Sequence, residues 1–261
     1  MAVGRYGTGQ LNGKRLVFRL VSVSASKVQF FIYSKCVQRR NVQKMKFEIN
    51  PAYPSLNTFI KSIPDIFGSE GDTIYKGRNE LKVYQVDGVM LLVKYFKIPN
   101  LINRFVYAHL RHSKARRSYV HAFQLLNANI NTPMPIAYIE ESKYGLLSRS
   151  YYVSIYETKA GHIRGYMAGI IKDERLLGEL ASFIASFHNL GIYHLDLTPG
   201  NVLFKATNSG YEFMLVDINR MKFKSRLSIK ERYKSLAKLS NHAEVSRQLT
   251  SEYSKHCKVT V

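Results

Sequence analysis

The sequence contains only two cysteines, Cys36 and Cys257, which stand at opposite ends of the chain. Zinc sites and disulfide frameworks need several cysteines or histidines at short spacings, and two distant cysteines match neither. A reducing compartment such as the cytoplasm is the simplest context for this composition. With 261 residues the chain is nevertheless long enough to bury a substantial core.

Long apolar runs are also missing. The longest, such as residues 89–93, are far shorter than the roughly 20 residues that a membrane-spanning helix needs. Residues 16–23 do not resemble a secretory signal, because Arg19 interrupts them and no cleavage pattern follows. We therefore expect any membrane contact to be peripheral.

Acidic residues are scarce. The chain has 18 Asp and Glu against 39 Lys and Arg, which gives a formal net charge of +21. Such an excess opposes compaction by self-repulsion and so indicates a polyanionic partner. Nucleic acid, an anionic membrane surface and a phosphorylated glycolipid all have the required charge, and net charge alone does not choose among them.

The imbalance is strongest at the amino-terminal end, where ten Lys or Arg but no acidic residue precede Glu48. Residues 1–44 also lack a regular hydrophobic period, apart from strand-like runs at 16–20 and 28–33. Two interpretations are open. The segment is either a basic arm that lies on an anionic surface or a poorly ordered extension ahead of a true start at Met45.

From Met45 onward the hydrophobic pattern becomes regular. An Asp87-Gly88 turn between β-rich runs predicts a hairpin, and Pro64 is expected to end the first helix. The predicted helices are at 55–63, at 102–127 with a break near 112–113, and at 176–190. The predicted strands are at 73–76, 80–86, 89–96, 136–140, 150–157, 202–205 and 212–216.

This order predicts an α+β fold of two lobes with a cleft between them. We expect a small, β-rich N-lobe at 45–157 and a compact, mostly helical C-lobe at 158–261, preceded by the basic extension at 1–44.

A group of polar residues after the third predicted helix is suited to phosphate chemistry. Asp196 and Asn201 lie five residues apart in a short loop, and Asp217 follows 16 residues later at the end of an apolar run. Phosphoryl transfer needs a carboxylate near the attacking hydroxyl and oxygen ligands for magnesium on the phosphates. Lys94 lies inside the apolar strand 89–96, so it must be at a sheet edge, be paired, or reach a phosphate.

The same residues carry a resemblance to a known family. The pattern His194-x-Asp196-x-x-x-x-Asn201, followed by Asp217, resembles the catalytic and metal loops of the protein-kinase-like superfamily. Within that superfamily, Asp-Leu-Thr-Pro-Gly-Asn and Leu-Val-Asp-Ile-Asn-Arg are most similar to the Kdo/WaaP lipopolysaccharide kinase family. Further similarities lie at 74–80, 113–119 and 132–137.

The resemblance implies a protein-kinase-like fold and an ATP-dependent phosphotransferase that uses Mg²⁺. The acceptor would be a sugar hydroxyl, on Kdo or heptose, in the inner core of lipopolysaccharide. Asp196 would be the catalytic base, and Asn201 and Asp217 would be the magnesium ligands. The implied partners are an anionic glycolipid or sugar and an anionic membrane surface, with no nucleic acid or protein substrate. The protein would be cytoplasmic or peripheral on the cytoplasmic face of the inner membrane.

The resemblance also implies a nucleotide site in the first half of the chain. Lys94 would be the lysine that binds the phosphates. A turn with Lys76, Gly77 and Arg78 would cover the phosphates, and Glu157 would lie near the adenine.

Several departures from protein kinases point away from a protein substrate. The glycine-rich loop is absent, Thr198 replaces the usual lysine two residues after Asp196, and Ile218-Asn219 follows Asp217 in place of Phe-Gly. No Ala-Pro-Glu motif follows Asp217 either. These differences favour a kinase of sugars or other small molecules.

One departure concerns Lys94 directly. The helix after this lysine should supply a glutamate partner, but no Asp or Glu occurs between Gly88 and Ile139, and 118–121 fill the expected position. Another carboxylate could orient Lys94, phosphate alone could hold it, or activity could be weak. The last possibility gives an alternative function, a pseudokinase or anionic-surface binding module. Nucleic-acid binding would explain the charge but would leave the loop residues without a purpose.

Two further expectations concern charge and histidine. The basic residues at 104–117 are expected to grip the head of an anionic glycolipid or an anionic membrane surface. His194 is expected to hydrogen-bond backbone near Asp217 rather than to carry a proton. His188, at a helix end, is expected to be a cap or a surface residue.

Overall fold

The computed structural model describes residues 6–11, 14–19, 43–97 and 112–258. The chain divides into two compact units, Met1–Val42 and Gln43–Val261. In the first unit β1 (Tyr6–Leu11) pairs antiparallel with β2 (Lys14–Arg19). Strand β2 covers most of the strand-like run at 16–20, whereas the run at 28–33 lies outside the described residues.

The second unit begins with a six-stranded antiparallel sheet, ordered β3-β7-β8-β6-β5-β4. Its strands are β3 (Gln43–Ile49), β4 (Asp72–Lys76), β5 (Asn79–Val86), β6 (Val89–Phe96), β7 (Pro135–Lys143) and β8 (Leu146–Ile155). The β5–β6 hairpin closes at Asp87 and Gly88, whose φ angles are 50° and 77°. Two successive positive φ angles are typical of the tight Asp-Gly turn that the sequence predicts.

Helix α1 (Asn57–Ile66) covers one face of this sheet with Ile60 and Ile63, both fully buried. The expectation that Pro64 ends the helix is wrong, because the helix continues to Ile66. Proline has no N–H to donate to the helix, but two other hydrogen bonds stabilise the helical turn around Pro64. The Phe67 N–H donates to the Ile63 carbonyl at 2.9 Å, and Arg149 Nη1 donates to the Pro64 carbonyl at 2.7 Å.

Helix α2 (Lys114–Asn127) starts at the break that the sequence predicts. The Ser113 side chain caps it by accepting a hydrogen bond from the Arg116 N–H at 3.0 Å. The earlier part of the predicted helical stretch, at 102–111, lies outside the described residues.

The C-lobe is mainly helical. Its helices are α3 (Arg164–Met167), α4 (Glu174–Asn189), α5 (Ile229–Leu236) and α6 (Ala243–His256). Its strands are β9 (Gly161–His162), β10 (Ile192–His194), β11 (Val202–Thr207), β12 (Gly210–Leu215) and β13 (Met221–Phe223). They form a three-stranded sheet, β12-β11-β9, and a two-stranded ribbon, β10-β13.

The side of α4 that packs against α6 includes His188, so the expectation of a surface position for this residue is wrong. His188 is fully buried, and its Nδ1 lies 3.0 Å from the Tyr253 hydroxyl. Burial, and to a lesser degree Arg232, lower the pKa of His188 to about 3. The helix periodicity places position 188 on the same buried face as Leu180 and Ile184.

The N-lobe sheet and the helical half have separate hydrophobic cores, the first around Leu91, Val93 and Ile139 and the second around Leu180 and Ile184. The predicted α+β, two-lobed, protein-kinase-like fold is confirmed. No helix in the described ranges is both long and apolar enough to cross a membrane.

Candidate active site

Lys94 projects from an interior strand. Strand β6 lies between β5 and β8, where Lys94 is opposite Leu81 on one side and Tyr152 on the other. The edge-strand interpretation is therefore wrong, and the side chain is only 15% exposed. Its Nζ donates a hydrogen bond to Asp217 Oδ1 at 2.5 Å. A lysine this deep in a sheet needs a charged partner, and Asp217 is that partner.

Asp217 follows β12 with a left-handed backbone, φ 53° and ψ 42°, and starts a single 3₁₀ turn, Ile218–Arg220. Asn219 Nδ2 also donates to Asp217 Oδ1, at 2.7 Å. Burial alone would raise the pKa of this carboxyl, but Lys94, with smaller contributions from His194 and Asn219, holds the pKa below its ordinary value. The left-handed conformation is costly for a residue with a side chain, which is typical of functional positions.

The loop between β10 and β11 is tied to the segment before Asp217 by His194. Its Nε2 donates to the Val216 carbonyl at 3.1 Å, and its Nδ1 accepts the Asp196 N–H at 3.1 Å. His194 is fully buried, and burial lowers its pKa, so the ring is neutral at pH 7 and serves as one donor and one acceptor. The structural role expected for His194 is confirmed.

Asn201 adds one connection within the same loop and one to the segment before Asp217. Its Nδ2 donates to the Asp196 carbonyl at 2.8 Å, and its own carbonyl accepts the Val216 N–H at 3.0 Å. Because the side-chain amide is fixed through nitrogen, its oxygen remains the available acceptor. Asp196, Asn201 and Asp217 thus stand in one hydrogen-bonded frame.

A cleft of about 780 Å³ runs between the lobes beside this frame. Of the eight site residues that the sequence suggests, the cleft brings together Arg78, Lys94, Glu157, Asn201 and Asp217. The other three, Lys76, Gly77 and Asp196, are not part of its lining. Leu81 and Leu92 of the N-lobe and Leu203 of the C-lobe add apolar surface to the same cleft.

The β4–β5 turn is close to the cleft through Arg78, but Lys76 points outward with 74% of its side chain exposed. Its 4.0 Å contact with Glu80 is weak at that exposure. A Cβ atom at Gly77 would lie 2.4 Å from the hydroxyl oxygen of Tyr75, which is the free end of an exposed side chain, so the contact does not require glycine.

Glu157 follows β8 where the chain passes from one lobe to the other. Its carboxylate forms an ion pair with Lys205 of β11, and its side chain is 19% exposed. The preceding Tyr156 N–H donates to the Met90 carbonyl at 2.8 Å. This segment therefore connects the N-lobe sheet to β11.

The helix position that lacks a glutamate is filled by two residues with other contacts. Ser118 lines the cleft, and His121 Nδ1 donates to the Ile218 carbonyl at 2.7 Å. Helix α2 is therefore connected to the turn after Asp217 rather than to Lys94. Of the three possibilities for Lys94, the structure gives the first, a carboxylate from elsewhere, and that carboxylate is Asp217.

Basic side chains surround the Lys94 end of the cleft. Burial lowers the pKa of Lys114, and Arg78 and Arg117 lower it further. The ammonium groups of Lys94 and Lys114 lie 5.3 Å and 5.9 Å from the centroid of the same Phe96 ring. A cluster of like charges is stabilised when a polyanion occupies the space between its members.

Two basic residues that the sequence analysis did not predict as site residues make contacts near Asp196. Arg220 Nη1 lies 3.7 Å from Asp196 Oδ2, and Lys238 Nζ donates to the Leu195 carbonyl at 2.5 Å. Arg220 belongs to the motif after Asp217, which gives a sequence signal, whereas Lys238 is one of many basic residues near the carboxyl end.

Comparison with known proteins gives two matches. The family model described as the lipopolysaccharide kinase (Kdo/WaaP) family matches residues 100–256, which include Asp196, Asn201 and Asp217 but not Lys94. A solved structure described as WaaP in complex with acyl carrier protein matches with a TM-score of 0.57 and 14% identity over 80% of this chain and 89% of that chain. At this identity the likeness establishes the fold alone. No curated protein matches the chain in sequence.

Proposed function

Because the chain belongs to the lipopolysaccharide kinase (Kdo/WaaP) family and is therefore a kinase, we propose that it phosphorylates a Kdo or heptose hydroxyl in the lipopolysaccharide inner core, with magnesium ATP as donor. The observation that carries this proposal is the ion pair between Lys94 and Asp217 across the cleft, with Asn201 in the same lining. A lysine, a carboxylate and an amide are the groups that kinases use to hold ATP and its metal.

The proposed metal site fits magnesium by the chemistry of its donors. Magnesium prefers oxygen and is held by one or two carboxylates together with substrate phosphates. Both hydrogen bonds to Asp217 end on Oδ1, so among the described residues Oδ2 accepts none, and the Asn201 amide oxygen is also available. Within the described ranges no three His, Cys, Asp or Glu side chains come together as a metal site, so the proposed site depends on one carboxylate, one amide and the phosphates of ATP. Asp217 and Asn201 would hold the ion, which would neutralise charge on the transferred phosphoryl group.

In this mechanism the side chains of the protein orient the reactants and accept one proton. Lys94 and Arg78 bind oxygens of the ATP phosphates. Asp196 accepts the proton of the attacking sugar hydroxyl, whose oxygen forms a new bond to the γ-phosphorus. The bond from that phosphorus to the bridging oxygen breaks, and ADP leaves with the bonding electrons. Closure of the N-lobe would exclude water and so prevent hydrolysis of ATP.

The apolar part of the cleft is the proposed adenine site. Leu81 and Leu92 from the N-lobe sheet and Leu203 from β11 line it, next to Glu157. The Glu157 carboxylate already forms an ion pair with Lys205. We therefore assign Glu157 a structural role in the wall of the adenine site rather than a direct hydrogen bond to adenine.

We also propose peripheral binding to an anionic membrane, with the protein at the cytoplasmic face. The support is the net charge of +21, since basic residues near such a surface contribute roughly 1 kcal/mol each. Within 104–117, Arg104 and Arg111 lie outside the described residues. Arg116 is half-buried, with its guanidinium carbon 6.0 Å from the Tyr138 ring centroid. Charge reversal at Arg111, Arg116 and Arg117 should abolish sedimentation with anionic vesicles, and undiminished binding would refute this part.

The direct test of function is transfer of radiolabel from ATP to lipid A that carries Kdo, and to the same glycolipid extended with heptose. Label should enter one of them with the wild-type protein and not with Asp217→Ala. Binding of magnesium ATP without transfer to either acceptor would instead support a pseudokinase or an anionic-surface binding module. Normal transfer by Asp217→Ala would show that the roles are wrongly assigned.

A further inference from the structure

A second cavity, of about 490 Å³, opens next to the catalytic loop. Three segments form its walls, namely helix α3 with Arg164, the loop at Pro199, and residues 238–242 between α5 and α6. None of the roles proposed for ATP and magnesium uses this space. We call it the loop cavity.

The loop cavity adjoins the cleft at a single side chain. Arg164 lines both spaces. Its guanidinium lies directly against Gly200. A Cβ atom on residue 200 would be only 2.6 Å from Arg164 Nη2. Pro199 lines the loop cavity, whereas Gly200 and Asn201 line the cleft. The two cavities therefore meet at Arg164 and at neighbouring residues of the loop that carries Asp196, so an acceptor in the loop cavity would lie close to ATP in the cleft.

The lining of the loop cavity is basic. Arg164, Lys238 and His242 contribute to it, and no Asp or Glu does. Lys238 is held in place by its hydrogen bond to the Leu195 carbonyl, which uses one of three N–H donors. Arg164 forms no ion pair with any carboxylate in the described part of the chain. Cations that lack carboxylate partners attract an anionic ligand, and a guanidinium binds a carboxylate or phosphate through two parallel hydrogen bonds.

We propose that the loop cavity binds the acceptor sugar through an anionic group, a carboxylate or a phosphate, held by Arg164 and Lys238. This inference rests on the proposed function and narrows it, because an acidic sugar suits the cavity better than a neutral one. Two sources of the anion fit equally, a carboxylate on the acceptor sugar itself or a phosphate on a neighbouring sugar.

The sharpest perturbation is Asn241→Asp, which adds one negative charge to an exposed wall of the cavity without a change in size. It should raise the KM for the acidic glycolipid about tenfold, as expected for one like charge near the bound anion in a partly solvated site. The KM for ATP should stay unchanged. Asn208→Asp, the same change at an exposed turn outside both cavities, is the matched control and should alter neither constant. Lys238→Gln should also raise the acceptor KM.

Two modified acceptors identify the anion. If a sugar carboxylate is bound, reduction of that carboxylate to an alcohol should remove the difference between Asn241→Asp and wild type. If a phosphate is bound, dephosphorylation of the glycolipid should remove it instead. Acceptor KM values for Asn241→Asp and Lys238→Gln that both equal that of Asn208→Asp would overturn the inference while phosphate transfer itself stands.

Failure of the proposed function is a separate outcome. If the wild type transfers no phosphate to any glycolipid, binding of the acidic glycolipid is measured by calorimetry with wild type, Asn241→Asp and Asn208→Asp. Weaker binding by Asn241→Asp alone would still support the cavity as an anionic-saccharide site. Equal binding by all three proteins, or none by any, would overturn the inference.

Discussion

The substitution His194→Phe tests the frame that joins the catalytic loop to the segment before Asp217. The histidine ring is fully buried and makes two hydrogen bonds to backbone, one from Nε2 to the Val216 carbonyl and one from the Asp196 N–H to Nδ1. Phenylalanine fills nearly the same space but has neither donor nor acceptor. The Val216 carbonyl and the Asp196 N–H, both partly buried, would then lose these partners.

The expected cost follows from those two groups. An unsatisfied donor or acceptor costs about 1–3 kcal/mol when buried, and these two are partly buried, so the free energy of unfolding should fall by about 2 kcal/mol, the low end for two groups. Phosphate transfer should fall at least about 100-fold, because Asp196 would lose its fixed position relative to Asp217. Urea unfolding at pH 7.5 and the radiolabel transfer assay measure the two effects.

The matched control is His256→Phe, the same substitution at an exposed position near the end of α6. Its free energy of unfolding should stay within about 0.5 kcal/mol of the wild-type value. If His194→Phe behaved like His256→Phe in both assays, the proposed frame would have no energetic or functional importance, and the reasoning would be refuted.

Three further predictions use other parts of the molecule. Lys94→Met removes both the proposed phosphate contact and a cation that lowers the pKa of Asp217. The affinity for magnesium ATP, measured by calorimetry, should therefore fall at least about tenfold. Unchanged affinity would contradict the assigned phosphate contact. His188 is neutral in the folded state with a pKa of about 3, against about 6.5 when unfolded, so its contribution to stability is complete above pH 6.5 and lost as pH falls toward 3. The unfolding free energy should therefore drop by about 1.4 kcal/mol per pH unit more in wild type than in His188→Gln, and parallel profiles would count against this. Chelation of magnesium should stop phosphate transfer without unfolding the protein, and transfer in excess chelator would exclude the proposed ligands Asn201 and Asp217 as a metal site.

Local features of the fold could be predicted because they depend on short stretches of sequence. The hairpin at Asp87-Gly88 and the bounds of β6 follow from one turn and one apolar run. Strand β8 was harder to place. It runs from Leu146 to Ile155 rather than over 150–157, because the chain turns at Tyr144 and Gly145, with φ angles of 56° and 76°. Tyrosine is not a usual residue for a left-handed turn, so this turn could not be predicted from its residues.

The residues of the candidate site could be found from their motif, but their pairing could not. Lys94 and Asp217 are 123 positions apart, and only the folded sheet and the turn after β12 bring them together. The sequence showed that the helix after Lys94 lacks a carboxylate, yet not that Asp217 would take its place. The loop cavity could not be predicted either, because its residues Arg164, Pro199 and Lys238 come from separate segments and form no local sequence pattern.

Asp196 is proposed to accept the proton of a sugar hydroxyl during phosphate transfer from ATP. The single-turnover rate of label transfer to the glycolipid acceptor tests this role in wild type and in Asp196→Asn, with Asp65→Asn, at an exposed position of α1, as control. We expect Asp196→Asn to lose about 100-fold to 10,000-fold in rate, with normal ATP binding and a normal rate for the control. A rate for Asp196→Asn equal to that of wild type would contradict this role.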